Sequence, residues 1–326
     1  MKQINIKDIK EIQIGQTENA QAGTGCTVFV APQGMVVGLD VRGGGPALRE
    51  ADLCRPLTTP NPLHALVLGG GSAYGLAAAG GVMDYLEENE IGYDVGIAKV
   101  PLVAQADIFD LTVGDPSVRP DPAMGYRAAK QALEAPNYQD GCYGAGCGAT
   151  VGKIAGMETC MKSGIGSYAV QVGDLKVGAV VVVNALGDVF DWKNGQQIAG
   201  LLEKDKKTLR KTSAYMKNNI VPTDKFTANT TLGVVITNGK FTKTQCCKIA
   251  GMGQNGMARC INPVHTTADG DTVFMVSAGT VEADMDLVGT MAAEVTSEAV
   301  LRAVRSATSM FGYPDVSQVK AGKEEG

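Results

Sequence analysis

The sequence lacks the features that mark membrane-spanning, exported and nucleic-acid-binding chains. No apolar segment reaches about 18 residues, the length that a transmembrane helix requires, and residues 1–8 lack the apolar core of a signal peptide. The formal net charge of −5 gives no electrostatic reason to expect nucleic acid or an anionic membrane as a partner. We therefore expect a cytoplasmic protein with neither nucleic acid nor membrane among its partners.

Histidine is scarce as well, because the chain contains only two. The eight cysteines show no metal-ligand spacing: Cys142 and Cys147 are too far apart for a usual zinc knuckle, and Cys246 and Cys247 are adjacent. Together these shortages argue against a zinc site, and we expect neither a metal nor a cofactor. Without an export signal, the cysteines are expected to be reduced thiols.

What the chain does contain is apolar residues and glycine. Hydrophobic residues make up 44% of 326 residues, enough for one large domain or two ordinary ones, and no internal repeat is visible. The 42 glycines cluster in runs such as residues 43–45 and 144–148, which favours tight turns and close backbone approach. Hydrophobic periodicity predicts strands that alternate irregularly with helices, which indicates layered α/β with mixed or antiparallel sheets.

The individual elements follow from the same periodicity. Gly173 and Asp174 form the predicted turn of a hairpin. The charged run 203–207 is interpreted as a solvated helix face, 219–228 as an exposed linker, and the tail after Gly312 as frayed. The predicted strands are 26–31 and 35–41 around a turn at 32–34, 64–68, 168–172, 177–184, 232–237 and 272–277. The predicted helices are 72–88, 124–134, 198–218, 242–260 and 284–310.

The most informative segment is residues 229–237, NTTLGVVIT. It places an amide residue and two hydroxyl residues immediately before a short apolar run that is typical of a buried strand. Thr230 is a candidate nucleophile, but a hydroxyl needs a base. If the chain breaks between Asn229 and Thr230, the new α-amine, with an ordinary pKa of about 7.7–8.0, supplies one. The alternative is a strand that merely begins with threonine, a residue that favours strands.

Four further segments make the resemblance to a known family specific. They are 68–76 (LGGGSAYGL), 99–111 (KVPLVAQADIFDL), 181–187 (VVVNALG) and 263–274 (PVHTTADGDTVF). With the Asn229–Thr230 junction, they resemble the P1/DmpA family of self-processing aminopeptidases and amidohydrolases. The junction and the Asp-Gly-Asp triplet resemble its nylon-oligomer hydrolases most.

The resemblance implies a fold and a processing scheme. The fold is a four-layer αββα sandwich, similar to N-terminal-nucleophile hydrolases and of the DmpA/ornithine acetyltransferase type. It implies a single domain, 1–326, that cleaves itself into 1–229 and 230–326. It also implies a small amide or peptide substrate and a homo-oligomer, a tetramer of processed heterodimers.

Two acidic residues are candidates to support Thr230. In an extended segment, Asp269 and Asp271 lie on one face, so both carboxylates can enter one pocket and hold the hydroxyl and the amine of Thr230. The alternative is an Asp-Gly turn before the next strand. The family resemblance gives both positions a match and favours the site.

Asn184 and Lys153 complete the predicted catalytic set. Asn184 ends an apolar run, where its amide can serve as an oxyanion donor or merely close the strand. Lys153 matches the active-site lysine of the family. It can polarise the substrate carbonyl or keep the Thr230 amine neutral by repulsion, and the alternative is an ordinary surface lysine.

The substrate pocket is predicted from weaker signals. The loop with Gly71, Ser72 and Tyr74 lacks a Walker ending and is interpreted as close packing that lines the pocket. Nylon-oligomer hydrolases carry a tyrosine where this chain has Phe109. The absence of that phenol argues against efficient turnover of nylon oligomers by this chain. His265 is more readily explained as a structural histidine than as a general base.

The leading hypothesis is a self-processing hydrolase that forms an acyl-enzyme on Thr230. An acyltransferase of the ornithine acetyltransferase type is the first alternative, because the acyl group can pass to an amine instead of water. A non-catalytic small-molecule-binding protein is the second, and such a protein has no need to release Thr230.

Overall fold

The computed structural model describes residues 1–59, 62–220 and 229–322. Its main strands form one hydrogen-bonded path in the order β1-β7-β8-β9-β10-β3-β5-β6-β4, with β2 also paired to β3. The strands are β1 (Lys2–Ile4), β2 (Gln13–Asn19), β3 (Thr24–Val41), β4 (Ala47–Arg49), β5 (Leu63–Gly69), β6 (Val103–Asp107), β7 (Ile165–Val172), β8 (Leu175–Asn184), β9 (Thr230–Gly239) and β10 (Thr272–Val281). The α-helices are α1 (Ala78–Glu88), α2 (Pro122–Glu134), α3 (Thr212–Asn218), α4 (Lys243–Cys260) and α5 (Met285–Arg305).

Strand β3 divides the path into two stacked sheets. Residues 36–41 of β3 pair with β10, while residues 24–30 pair with β2 and β5. One sheet therefore contains β1, β7, β8, β9 and β10, and the other contains β2, β5, β6 and β4. Strand β3 has 18 residues, which is longer than most strands, so its two halves can pair within different sheets.

Three apolar clusters fill the spaces between the layers. The central cluster joins the two sheets, with Phe29 and Leu66 from one sheet and Val182 and Val234 from the other. The two outer clusters lie between the first sheet and helices α4 and α5, and between the second sheet and helices α1 and α2. The architecture is the four-layer αββα sandwich that the family resemblance implied.

Several predicted elements are confirmed, and the hairpin is the clearest. Strands β7 and β8 are antiparallel, and Val172 pairs with Leu175 across the two-residue turn at Gly173 and Asp174. The strands predicted at 64–68, 232–237 and 272–277 and the helices at 124–134 and 242–260 lie within or close to observed elements. These segments carry strong local periodicity, which tertiary contacts did not override.

Other predictions were wrong. No turn separates 26–31 from 35–41, because β3 is continuous and absorbs residues 32–34 as a register shift around Gly34, whose φ is +84°. The helix predicted at 72–88 begins as a 3₁₀ turn, Ser72–Ala77, and α5 ends at Arg305 rather than at residue 310. The tail is not frayed up to residue 322, since Lys162 and Leu209 donate main-chain hydrogen bonds to Pro314 and Lys320.

The predicted helix 198–218 is mostly irregular. Gln197–Ala199 is a strand paired with Asp188–Phe190, and only α3 is helical. The buried carboxylate of Asp188 accepts the main-chain N–H groups of Leu201 (2.9 Å) and Thr212 (2.6 Å), which fixes a loop between them. The charged run is solvated as predicted, but on this loop. Most of the predicted linker, residues 221–228, lies outside the described residues.

The remaining short elements connect the layers. The short strand pairs are Tyr93–Asp94 with Lys99–Val100, Thr150–Val151 with Met161–Lys162, and Asp188–Phe190 with Ile261–Asn262. The short 3₁₀ helices are Ile6–Asp8, Ala51–Cys54, Gly144–Gly146, Met157–Thr159 and Val316–Gln318. The strand Thr150–Val151 brings its loop against the end of β8.

Candidate active site

The predicted nucleophile and the predicted oxyanion donor are cross-strand neighbours. Thr230, the first residue of β9, pairs in register with Asn184, the last residue of β8. Leu232 and Val234 on β9 belong to the cluster between the sheets, so by alternation the side chain of Thr230 faces that layer too. The same alternation from Val182 places the Asn184 side chain there. Thr230 is 4% exposed and Asn184 is 0% exposed, so both polar groups lie inside the protein.

The hydroxyl of Thr230 lies against the peptide bond that precedes it. Its Oγ donates to the carbonyl oxygen of Asn229 at 2.5 Å, and the main-chain N–H of Gly270 donates to the same oxygen at 2.8 Å. Two donors on one carbonyl oxygen polarise the bond and favour negative charge on that oxygen. The arrangement brings together the Thr230 hydroxyl, the carbonyl of the predicted cleavage site and the Gly270 N–H.

Gly270 is required here by space. A Cβ atom at this position would lie 2.7 Å from Oγ of Thr230 and 3.0 Å from the carbonyl oxygen of Gly45. Any larger residue would therefore displace the hydroxyl from its position beside the Asn229 carbonyl.

We expect Gly270→Ala to fold but to slow cleavage between Asn229 and Thr230 by about 10²-fold, the effect of a small misplacement of reacting groups. Gly45→Ala is the matched control, because a Cβ at Gly45 meets no atom within 4 Å. Intact-mass spectra over time measure the cleavage, and thermal denaturation checks the fold. Cleavage of Gly270→Ala at the wild-type rate would show that the Thr230 hydroxyl does not need this space.

The two predicted carboxylates lie on either side of Gly270, and each has a fixed set of donors. Asp271 accepts the main-chain N–H of Thr231 through Oδ1 at 2.7 Å. Asp269 accepts the main-chain N–H of Leu186 at 3.3 Å through Oδ1 and the N–H and hydroxyl of Thr266 through Oδ2. Burial, followed by repulsion from Asp271, raises the pKa of Asp269, while its hydrogen bonds oppose that shift.

Lys153 is not a surface lysine, because only 2% of it is exposed. Its Nζ donates to Oδ1 of Asn184 at 2.7 Å and to the carbonyl oxygen of Asn184 at 2.9 Å. Oδ1 of Asn184 also accepts the main-chain N–H of Thr150 at 3.1 Å. Burial lowers the pKa of Lys153 to about 7, against the opposing influence of Cys160 and Asp269. The lysine can therefore change its charge near neutral pH.

The proposed pocket residues are connected to this centre by the segment that follows β6. Phe109 is half-buried, and its carbonyl oxygen accepts the Nδ2–H of Asn184 at 3.0 Å. The next residue, Asp110, accepts the main-chain N–H of Gly71 at 2.7 Å, and burial raises its pKa to about 6. Ser72 follows in the left-handed region with φ +54° and donates its N–H to Ile108.

Tyr74 lies farther out. It is 62% exposed, and the guanidinium of Arg119 is 4.0 Å from the centre of its ring. The structure thus gathers Thr230, Asn184, Lys153, Asp269 and Asp271 at one end of the inter-sheet layer, with Phe109 and Gly71 beside them. Tyr74 is on the surface of the same loop. Their roles remain predictions.

Sequence reasoning assigned no role in this centre to four residues, although it considered His265 and interpreted it as a structural histidine. They are Gly270, Thr150, Thr266 and His265, which contact Thr230, Asn184, Asp269 and Asp271 in turn. Only Gly270 had a sequence signal, because it stands between the two aspartates. Thr150 contacts Asn184 from a distant segment, whereas Thr266 and His265 contact their aspartates within one loop whose conformation no sequence pattern predicted.

Comparison with known proteins identifies the family. A sequence model of peptidase family S58 matches residues 5–317. The chain belongs to peptidase family S58. This is the DmpA family, so the resemblance noted in the sequence is confirmed.

Similar sequences include an uncharacterized aminopeptidase of Mycobacterium leprae, 39% identical over 95% of this chain and 92% of its own length. A 6-aminohexanoate-oligomer endohydrolase of Paenarthrobacter ureafaciens is 31% identical over 91% of this chain and 84% of its own length. These relatives and the family assignment show that this S58 protein is a hydrolase of peptide or amide bonds.

Solved structures confirm the fold. The L-aminopeptidase D-Ala-esterase/amidase of Ochrobactrum anthropi, described as a variant of the Ntn-hydrolase fold, superposes with a TM-score of 0.71. The superposition covers 95% of this chain and 88% of that chain at 16% identity. A β-aminopeptidase of a Burkholderia species gives a TM-score of 0.66 at 18% identity, over 96% of this chain and 90% of that chain. In the described ranges, none of the helices has the length and apolar character to cross a membrane.

Proposed function

We propose that this S58 hydrolase activates itself by cleaving the bond between Asn229 and Thr230 and then uses Thr230 as its N-terminal nucleophile. The observation that carries the proposal is the 2.5 Å contact between Oγ of Thr230 and the carbonyl oxygen of Asn229, with the N–H of Gly270 on the same oxygen. A hydroxyl in that position is next to the carbon that it would attack.

In the first step, Oγ of Thr230 bonds to the carbonyl carbon of Asn229 and the C–N bond breaks. The hydroxyl proton ends on the departing nitrogen, which becomes the α-amine of Thr230. The N–H of Gly270 stabilises the oxyanion during this shift. Water then hydrolyses the ester, which leaves a carboxylate on Asn229 and restores the hydroxyl of Thr230.

In turnover, the amine of Thr230 takes the proton from its own hydroxyl as Oγ attacks a substrate amide. The leaving amine receives that proton, an acyl ester forms on Thr230, and water releases the acid. Asn184 is proposed as an oxyanion donor, with Asp269 and Asp271 orienting the N-terminal segment. Lys153, as a nearby cation, favours the neutral form of the amine through repulsion.

Substrates are proposed to be small amides or peptides with a free amine. Support comes from the relatives, whose names describe aminopeptidases and 6-aminohexanoate-oligomer endohydrolases. Thr230 is 4% exposed in the uncleaved chain, which supports an inactive precursor that gains its site only after processing.

The test is a panel assay on purified protein whose processing has been verified by intact mass. The panel contains short α-amino-acid amides, β-amino-acid amides and aminohexanoate oligomers, each with and without an added amine acceptor. We expect free acids as products. Processed protein that transfers acyl groups to the acceptor and releases no acid would favour the acyltransferase. Unprocessed, inactive protein would favour a binding protein.

Phe109→Tyr tests which substrates the pocket accepts. The Phe109 main-chain carbonyl accepts the Asn184 amide N–H, so the backbone of Phe109 lies beside the proposed oxyanion donor. A phenol here adds one hydrogen-bond donor, and we expect a rise of a few-fold to about 10-fold in turnover of aminohexanoate oligomers. Turnover of α-amino-acid amides in the same assays is the internal control. An unchanged ratio between the two substrate classes would mean that this position does not set specificity.

A further inference from the structure

His265 contacts one of the two proposed carboxylates twice. Its main-chain N–H donates to Oδ2 of Asp271 at 3.0 Å, and its ring Nδ1 lies 2.8 Å from the same oxygen. The other oxygen of Asp271 accepts the main-chain N–H of Thr231 at 2.7 Å. One carboxylate therefore links the imidazole to the peptide group that joins Thr230 to Thr231.

Among the described residues, Asp271 is the polar partner of the His265 ring. Because a carboxylate accepts, Nδ1 carries the proton in this contact. The second ring nitrogen, Nε2, is buried and has no hydrogen-bond partner among the described residues. A histidine that serves packing alone would normally have its buried polar atoms satisfied. The placement of this ring is explained by the carboxylate that it holds.

The backbone supports the same interpretation. His265 has φ +56°, in the left-handed region that non-glycine residues seldom occupy and that histidine, asparagine and aspartate tolerate best. The next residue, Thr266, repeats the pattern, because its N–H and its hydroxyl both donate to Oδ2 of Asp269. Two consecutive residues thus each fix one carboxylate with a main-chain and a side-chain donor.

We propose that His265 is a positioning residue for Asp271 and, through Asp271, for Thr230. The ring N–H holds the carboxylate in the orientation in which it accepts the Thr231 N–H. That contact fixes the Thr230–Thr231 peptide and keeps the Thr230 hydroxyl on its target carbonyl. The inference rests on the proposed function of Thr230. Since His265 acts through another residue, its loss lowers kcat and slows processing and leaves KM nearly unchanged.

The experiment compares two variants that both suit a left-handed backbone. His265→Gly keeps the main-chain N–H and removes the ring. We expect about 10- to 100-fold slower processing and lower kcat, the range for a lost hydrogen bond to a charged group, with KM within about three-fold. His265→Asn offers an amide N–H near the position of Nδ1 and should recover most of both rates. Equal losses in the two variants would overturn the proposal.

Two further variants keep the result interpretable. His265→Asp has nearly the shape of His265→Asn but lacks the N–H donor. It should show the same loss of processing rate and kcat as expected for His265→Gly, and it replaces that variant if the glycine substitution prevents folding. His64→Asn is the matched control, because it replaces the other histidine of the chain. His64 lies near the start of β5, where its Nδ1 accepts the Leu102 N–H at 3.1 Å. This control variant should retain wild-type kcat.

Thr230→Ala separates this inference from the proposed function. If Thr230→Ala is inactive while His265→Gly has wild-type kcat, the positioning role is wrong and the proposed nucleophile stands. If Thr230→Ala still cleaves and turns over substrate, the proposed function itself is wrong.

Discussion

Thr230→Ala should remain a single chain of 326 residues, whereas the wild-type chain should be cleaved into residues 1–229 and 230–326. The substitution removes the only hydroxyl seen to contact the Asn229 carbonyl within the described residues. Gly270 would still polarise that carbonyl, but no nucleophile would attack it. Because the α-amine is never released, the loss of turnover on amides should also be complete. Denaturing electrophoresis and intact mass measure the first effect, and the amide panel measures the second.

Two neighbouring substitutions make this result specific. Thr231→Ala changes the next residue of the same strand, which by alternation points to the opposite face of the sheet, and it should process normally. Thr230→Ser keeps a hydroxyl and should process at a measurable rate. The fragments should stay associated, because β9 and β10 of the second fragment pair with β8 and β3 of the first. Cleavage of Thr230→Ala at the same bond would exclude Thr230 as the self-cleaving group.

Lys153→Met should lower the kcat of the processed enzyme by about 10²- to 10⁴-fold, the usual range for a group that handles protons or charge in the reaction. The buried ammonium group of Lys153 donates to the Asn184 side chain, and Asn184 pairs with Thr230. Methionine has a similar length and no charge. Amide assays on protein whose processing has been verified by intact mass measure kcat, and a kcat equal to that of the wild type would remove Lys153 from the mechanism.

The same substitution should change how stability depends on pH. Burial lowers the pKa of Lys153 to about 7 in the folded chain, compared with about 10.4 when unfolded. Between these values the unfolded state binds more protons, so the free energy of unfolding rises with pH, by up to about 1.4 kcal/mol per pH unit. Below pH 7 the full cost of the buried charge remains. The methionine variant should lack this rise.

Measurement in the Thr230→Ala background keeps every chain uncleaved. Urea denaturation at pH 7, 8 and 9 gives the free energy of unfolding with and without Lys153→Met, and the difference between the two should shift with pH in the stated direction. Lys204→Met, on the exposed charged loop, controls for the loss of one positive charge and should show no such trend. A pH-independent difference for Lys153→Met would mean that the lysine does not titrate in this range.

Much of the fold was predictable because its signals are local. Apolar runs such as 177–184 and 232–237 identify strands without knowledge of their partners, and two turn residues between two runs predict a hairpin. The family resemblance extended these elements to four layers. One failure occurred where a distant group decides the local structure: Asp188 binds the N–H groups of Leu201 and Thr212 and so fixes a loop between them that periodicity alone assigns to a helix.

The sequence by itself determined which reactive groups the chain contains. They are a threonine at the start of a strand, two aspartates around a glycine, an asparagine at the end of a strand, and a lysine that is far from all of them in sequence. Only the tertiary structure decided how these groups meet. Pairing of β8 with β9 joins Asn184 to Thr230, and burial, which no residue type encodes, brings the pKa of Lys153 down to about 7. The N–H of Gly270 contacts the Asn229 carbonyl because its loop packs against the start of β9, a segment far away in the chain, and a local pattern does not encode such packing. The contact of His265 with Asp271 is local, but it depends on a left-handed backbone at His265 that no sequence pattern predicted.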